Sequence, residues 1–206
     1  MDAQVVLALP RRYARFPDWD GRLPAVPKAV TVLRPKEDLG PASKLVPVLE
    51  SGLADTGDIL ICDDDAIYAR DWAQGFLKAR KAHPIAAIAA SSFPAARLGL
   101  SPPVGPDAII VQGFAGVLVS KDSLGIEIPF PPGACKYVDD IWLSALLAAN
   151  GTPIVKVGHL RTLVDPIGRA AAPLQNAAEG GPTRSQANRA CATLLRKLLR
   201  IWPPSD

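Results

Sequence analysis

The chain has little with which to staple itself or to hold a soft metal. Its three cysteines, Cys62, Cys135 and Cys191, are odd in number, far apart and without any CxxC or Cys/His spacing that suits zinc. A disulfide scaffold is therefore not expected, and unpaired thiols point to a reducing, cytoplasmic setting. No run approaches the roughly 20 apolar residues that cross a bilayer. The amino-terminal MDAQVVLALPRR puts its basic residues after its apolar ones, the reverse of a secretory signal. Charge of one sign is not concentrated either: 23 basic and 20 acidic residues leave a net +3. No block is long enough for a nucleic-acid arm, so nucleic acid is not an expected partner. Internal repeats, low-complexity linkers and a phosphate-cradling GxxxxGK[ST] loop are all absent.

What is there is an ordinary globular composition, 49% hydrophobic and 21% charged over 206 residues, which suits one domain spanning 1–206. The 21 prolines are about twice average usage and imply rigid, extended connections at 10–27, 93–106, 128–135 and 165–182. Short β-branched runs recur at 5–9, 30–33, 58–62, 85–88, 108–111, 116–119 and 153–157. Each is too short for a helix, and several are apolar throughout, as in strands covered on both faces.

Helical patterns lie between these runs. Pro41 opens one, with Leu45, Val48 and Leu49 on one face and Pro47 to shorten or kink it. Trp72, Ala73, Phe76 and Leu77 follow Asp71; Trp142, Ala145, Leu146 and Ala149 follow Asp140 and stop at Asn150-Gly151. His83 reads as a helix-terminus residue. The clearest helix is the last, where Ala187, Ala190, Cys191, Leu194, Leu195, Leu198, Ile201 and Trp202 keep the 3.6 period and Arg189, Arg196, Lys197 and Arg200 take other faces. Such a helix docks on a sheet, or lies as a basic amphipathic helix on an anionic membrane. The alternation predicts an α/β layered fold with a mostly parallel central sheet, its core in 4–160 and a carboxyl-terminal loop and helix in 161–206.

Ile59-Leu60-Ile61-Cys62 runs directly into Asp63-Asp64-Asp65, so three carboxylates stand at the carboxyl end of an apolar strand. In open α/β sheets that end faces the ligand crevice. If the extended geometry persists, Asp63 and Asp65 project to one side and Asp64 to the other. Adjacent anions repel unless a cation compensates, and a hard divalent ion completed by water and a diphosphate does so economically. A solvated acidic turn capping the next helix uses the same residues. A second pair, Asp139-Asp140, opens the helix bearing Trp142; one Asp suffices for a cap, which leaves the other to act as a general base. Gln112-Gly113-Phe114-Ala115-Gly116 lies between two strand runs, either as a plain hairpin turn or as a close backbone approach to a ligand.

Taken in order, Glu37 to Lys44 (EDLGPASK), Ile59 to Tyr68 (ILICDDDAIY), Gln112 to Ser120 (QGFAGVLVS) and Tyr137 to Leu147 (YVDDIWLSALL) resemble a nucleotide-sugar-dependent glycosyltransferase of the GT-A fold, close to the bacterial family-2-like enzymes. The resemblance covers roughly residues 4–160. It implies a manganese or magnesium ion held by Asp65 and Asp63, with His159 as a further ligand position. Asp63, Asp64, Lys44 and Gly113 would contact the donor, and Asp140, helped by Asp139, would deprotonate the acceptor hydroxyl. It also implies a nucleotide-sugar donor, a glycan or glycolipid acceptor and a role in polysaccharide biosynthesis.

Such enzymes usually begin with a strand, loop and helix that cradle the base, whereas this chain starts at the second strand, Val5 to Leu9. Either Arg11, Arg12 and Tyr13 replace part of the base site, or the chain is a non-catalytic descendant that binds a sugar nucleotide or a partner protein. A phosphoryl- or nucleotidyl-transferring enzyme uses the same carboxylate chemistry. A sheet edge left open at Val5 would be covered by the 10–27 segment or by a second chain in a homodimer.

Overall fold

The computed structural model describes residues 3–14, 16–125, 130–167 and 183–204. Its strands are β1 (Val5–Ala8), β2 (Val30–Leu33), β3 (Asp58–Ile61), β4 (Ala66–Tyr68), β5 (Ala87–Ala89), β6 (Ser92–Pro94), β7 (Ile109–Val111), β8 (Val117–Ser120), β9 (Ile154–Lys156) and β10 (Val164–Pro166). The helices are α1 (Val46–Glu50), α2 (Trp72–Ala82), α3 (Lys121–Leu124), α4 (Asp139–Ala149) and α5 (Arg184–Leu199). Single 3₁₀ turns at Gly40–Lys44, Gly113–Ala115 and Gly133–Cys135 prove important below.

A four-stranded sheet in the order β3-β8-β5-β9 forms the centre. Strand residues alternate between faces, and the apolar runs exploit this. Ile59 and Ile61, Ala87 and Ala89, and Val117 and Val119 share one core with Trp142 and Leu146 of α4 and Leu195 of α5. Leu60, Ile88 and Leu118 share the opposite core with Trp72 and Phe76 of α2 and with Leu160. The sheet is therefore sandwiched between helices, which is why these strands are apolar on both sides. Each fully buried large side chain contributes about 1.5–3 kcal/mol.

The expectation of a mostly parallel sheet is corrected. Within the central sheet β3 and β5 both pair antiparallel with β8, and only β5 with β9 is parallel. β1 and β2 form a separate parallel pair, while β6-β7 and β4-β10 are small antiparallel pairs. Parallel neighbours need a crossover of a dozen or more residues, usually helical. Between β5 and β8 the chain forms the antiparallel pair β6-β7 and two 3₁₀ turns but no crossover helix, and it returns antiparallel. Ile85 is 77% exposed, so that strand begins two residues later than its β-branched run. His83 closes α2, its N–H donating to the Ala79 and Arg80 carbonyls. The 10–27 segment packs on Arg34 after β2: Arg34 Nη2 donates to Gly21 O at 3.0 Å, and its guanidinium lies over Trp19. Residues 168–182 of the expected 165–182 loop lie outside the described residues.

The cysteine reading is also corrected. Cys135 and Cys191 form a disulfide, with Cα atoms 4.8 Å apart across 56 residues of sequence, and Cys62 alone is a free thiol. No local spacing encodes a pair brought together by the docking of α5. With Cys135 and Cys191 paired, the cysteines do not point to a reducing compartment. Both sulfurs belong to residues at most 1% exposed, and closing so long a loop is worth about 2–4 kcal/mol. Thermal unfolding of a Cys135→Ala/Cys191→Ala protein should therefore show a lower midpoint than the parent. An unchanged midpoint would show that α5 docks without the bond. Among the described residues no helix is long and apolar enough to cross a membrane.

Candidate active site

Strand β3 ends at Ile61, and the chain bends through Cys62 to Asp65 before entering β4. The extended geometry that would have alternated the three aspartates does not persist. Tyr68 holds the bend: Asp63 N–H donates to Tyr68 Oη at 2.9 Å and the same hydroxyl donates to Asp63 O at 3.1 Å. Burial and then neighbouring negative charge raise that phenol to about 12, while its bond to the Asp63 backbone opposes the shift. Ile167 N–H donates to Asp65 O at 2.7 Å and tethers the far side of the bend. Asp64 and Asp65 are exposed and Asp63 is half-buried.

Lys44 ends the 3₁₀ turn Gly40–Lys44, which Pro41 opens as its sequence position suggests. It is no solvated surface lysine, because its side chain is only 22% exposed. The ammonium lies 2.5 Å from Asp63 Oδ1 and 3.0 Å from Asp139 Oδ2, joining the end of β3 to the start of α4. Burial works against its charge, but Asp139 and Asp63 more than offset this and raise its pKa. A small cavity of about 10 Å³ beside it, bounded by Ala42, Leu45, Ile61 and Trp142, is at the lower limit for a single water.

Neither member of the acidic pair caps α4, whose flanking Val138 makes no side-chain cap bond. Asp139 turns to Lys44, and Asp140 Oδ1 accepts the Gly113 N–H at 2.8 Å. Both sit in the first helical turn, where the helix dipole favours negative charge. Even so, burial and then the adjacent Asp139 raise the Asp140 carboxyl to about 7, with the Gly113 N–H, Lys44 and Arg184 opposing. Ser144, one turn on and fully buried, accepts from Val111 N–H at 2.9 Å and donates to Asp140 O at 2.6 Å. This locks α4 to β7.

The Gln112–Gly116 stretch is not a plain hairpin. β7 pairs with β6 whereas β8 pairs with β3 and β5, so the 3₁₀ turn Gly113–Ala115 carries the chain from one sheet to another. A Cβ at Gly113 would lie 3.1 Å from Lys44 Nζ and 3.3 Å from Asp140 Oδ1, tighter than ordinary packing. The missing side chain lets the backbone approach the charged cluster without displacing these groups.

The structure thus brings Lys44, Asp63, Asp139, Asp140 and Gly113 into one connected cluster, with Asp64 and Asp65 on the exposed bend beside it. His159 stands apart in this respect: it is exposed in a 3₁₀ turn, and its carbonyl accepts from Thr162 Oγ1. Among the described residues no three His, Cys, Asp or Glu side chains are grouped to hold a metal ion. The two exposed carboxylates are nonetheless the right kind of donor for magnesium or manganese, which take one or two carboxylates and leave the other positions to water and phosphate oxygens. Tyr68 and Ser144 were not singled out by the sequence, although both lie inside its quoted motifs. Their roles depend on partners on other elements.

Comparison with family models, with curated proteins and with solved structures finds no match to this chain.

Proposed function

We propose that this chain is a metal-dependent GT-A-type glycosyltransferase, moving a sugar from a nucleotide-sugar donor to a hydroxyl of a glycan or glycolipid acceptor. One observation carries the reading: residues from all four motif stretches meet at Lys44, which binds Asp63 and Asp139 while Asp140 is held by Gly113 N–H.

Asp65, with Asp63 or Asp64, would hold manganese or magnesium, which when bound offsets the charge that grows on the departing diphosphate. The chain's own residues do the rest. Asp140 accepts the proton of the acceptor hydroxyl as that oxygen forms a bond to the anomeric carbon. The bond from that carbon to the diphosphate oxygen breaks, and its electron pair leaves with the nucleoside diphosphate. Gly113 N–H orients the Asp140 carboxylate, and Lys44 holds Asp139 in an ion pair. Burial, then Asp38 and then Asp64 raise the Tyr13 phenol, so Tyr13 lies within electrostatic reach of the acidic bend and can help hold the base.

The test is calorimetric titration with uridine, guanosine and thymidine diphosphate sugars, with and without manganese. Manganese-dependent binding of one of them, followed by transfer, is the expected result; Asp65→Asn should weaken that binding by at least about tenfold. Manganese-independent binding, or an unchanged affinity in the variant, would remove Asp65 from the metal site.

A further inference from the structure

Two residues past the disulfide cysteine Cys135, Tyr137 is 44% exposed, and the Nζ of Lys136 lies 5.7 Å from the centroid of its ring. Arg184, in the first turn of α5, donates from Nη1 to Tyr137 O at 2.9 Å. Among the described residues no carboxylate forms an ion pair with Lys136 or Arg184, whereas Lys44, Arg80 and Lys121 each have at least one. Two cations, one from the neighbouring residue and one from α5, therefore meet at Tyr137, three residues before Asp140.

The fold holds this group in place by independent means. The Cys135–Cys191 bond ties α5 to the same segment about two helical turns from Arg184. On the other side Gly40, at φ +58, packs so closely on Lys136 O that any Cβ there would collide with it. Arg184 also lies within electrostatic reach of Asp140, whose pKa its charge lowers against the burial that raises it.

We propose that Lys136, Tyr137 and Arg184 form a subsite for the anionic group, phosphate or carboxylate, of a sugar acceptor. This rests on the transferase reading for the word acceptor, but not for the anion. Arg184 has guanidinium N–H groups beyond the one spent on Tyr137 O, in a planar array that matches two oxygens of a phosphate or carboxylate. Lys136 adds a second point charge. The face of Tyr137 is an amphipathic surface for the C–H side of a sugar ring, and the sugar's hydroxyl is then directed toward Asp140.

The experiment follows the backbone amides of Tyr137 and Val138 and the Arg184 Nε–H by nitrogen-15 NMR on the full chain. Glucose 6-phosphate, glucuronate and glucose are titrated separately, and manganese with uridine diphosphate on its own. Glucose 6-phosphate or glucuronate should give saturable shifts where glucose gives none, and Arg184→Gln should weaken that binding about tenfold or more, with Arg184→Lys intermediate. Lys136→Gln, at a side chain that stands over the Tyr137 ring, provides a second variant and should weaken it severalfold. Equal binding of glucose, or unchanged anion affinity in both variants, overturns the subsite. So does an equal loss of uridine diphosphate affinity in Arg184→Gln, which would assign the cations to the donor diphosphate. Anion binding by a chain that binds no nucleotide sugar supports the subsite and removes the transferase reading instead.

Discussion

Asp140→Asn should depress the rate of transfer by about 10²–10⁴-fold, the usual contribution of a positioned general base, while donor affinity stays within about a factor of two. The amide oxygen of the variant can still accept the Gly113 N–H, so the local backbone is preserved and the loss is one of proton affinity. In the parent, activity should rise with pH through about 7, where the carboxyl gives up its proton, and then level. Stability should move the other way. The native state keeps this proton up to about 7, whereas the unfolded chain releases it near 3.8. Between those values the native state binds more protons, and stability falls as pH rises. The Asn variant lacks that slope and should be the more stable protein above pH 7, by on the order of 2 kcal/mol. Denaturant unfolding at pH 5 and pH 8 measures both proteins. Loss of stability at pH 8 in the variant would mean that the ionised carboxylate holds the fold and is not poised as a base.

Lys44→Met should have the largest effect on the fold. It removes the cation between Asp63 and Asp139, whose side chains are 29% and 13% exposed, and leaves two carboxylates facing each other. Removing one partner of a largely buried ion pair costs about 3–5 kcal/mol when the other stays charged; partial exposure places this case near the lower end. A Lys44→Met protein as stable as the parent at neutral pH would show that the bridge contributes nothing net, and donor binding should then be measured on it directly.

The secondary structure was legible where a local pattern is determined by burial. Ile59-Leu60-Ile61 and Val117-Leu118-Val119 had to be strands covered on both faces, and both cores claim alternate residues of each. The periodic helices carrying Trp72 and Phe76, Trp142 and Leu146, and Leu194 and Leu195 are present as α2, α4 and α5. The three-residue strands β4, β6 and β10 were not foreseen, since runs so short have no period to detect and exist because a partner strand satisfies their backbone groups. Strand direction was misjudged for a related reason. An apolar run looks the same in a parallel or an antiparallel neighbourhood, and the direction is decided by the links between runs.

In the site, the residues themselves brought forward Asp63, Asp139 and Asp140, because carboxylates directly after an apolar strand or at a helix start are costly without a purpose, and Gly113 through its small-residue turn, whereas Lys44 entered only through the resemblance. The sequence could not say that the cation compensating Asp63 is Lys44, nineteen residues upstream. It could not say that Asp140 is held by a glycine N–H while Asp139 is not, or that Ser144 and Tyr68 hold the backbone around them. Residue types and their order determined which groups are chemically unusual and which runs are buried. Only the tertiary structure decided which charges face which, which cysteines meet and which carboxyl keeps its proton, because those depend on distances across elements and on water excluded between them, and neither quantity is a property of neighbours in the chain.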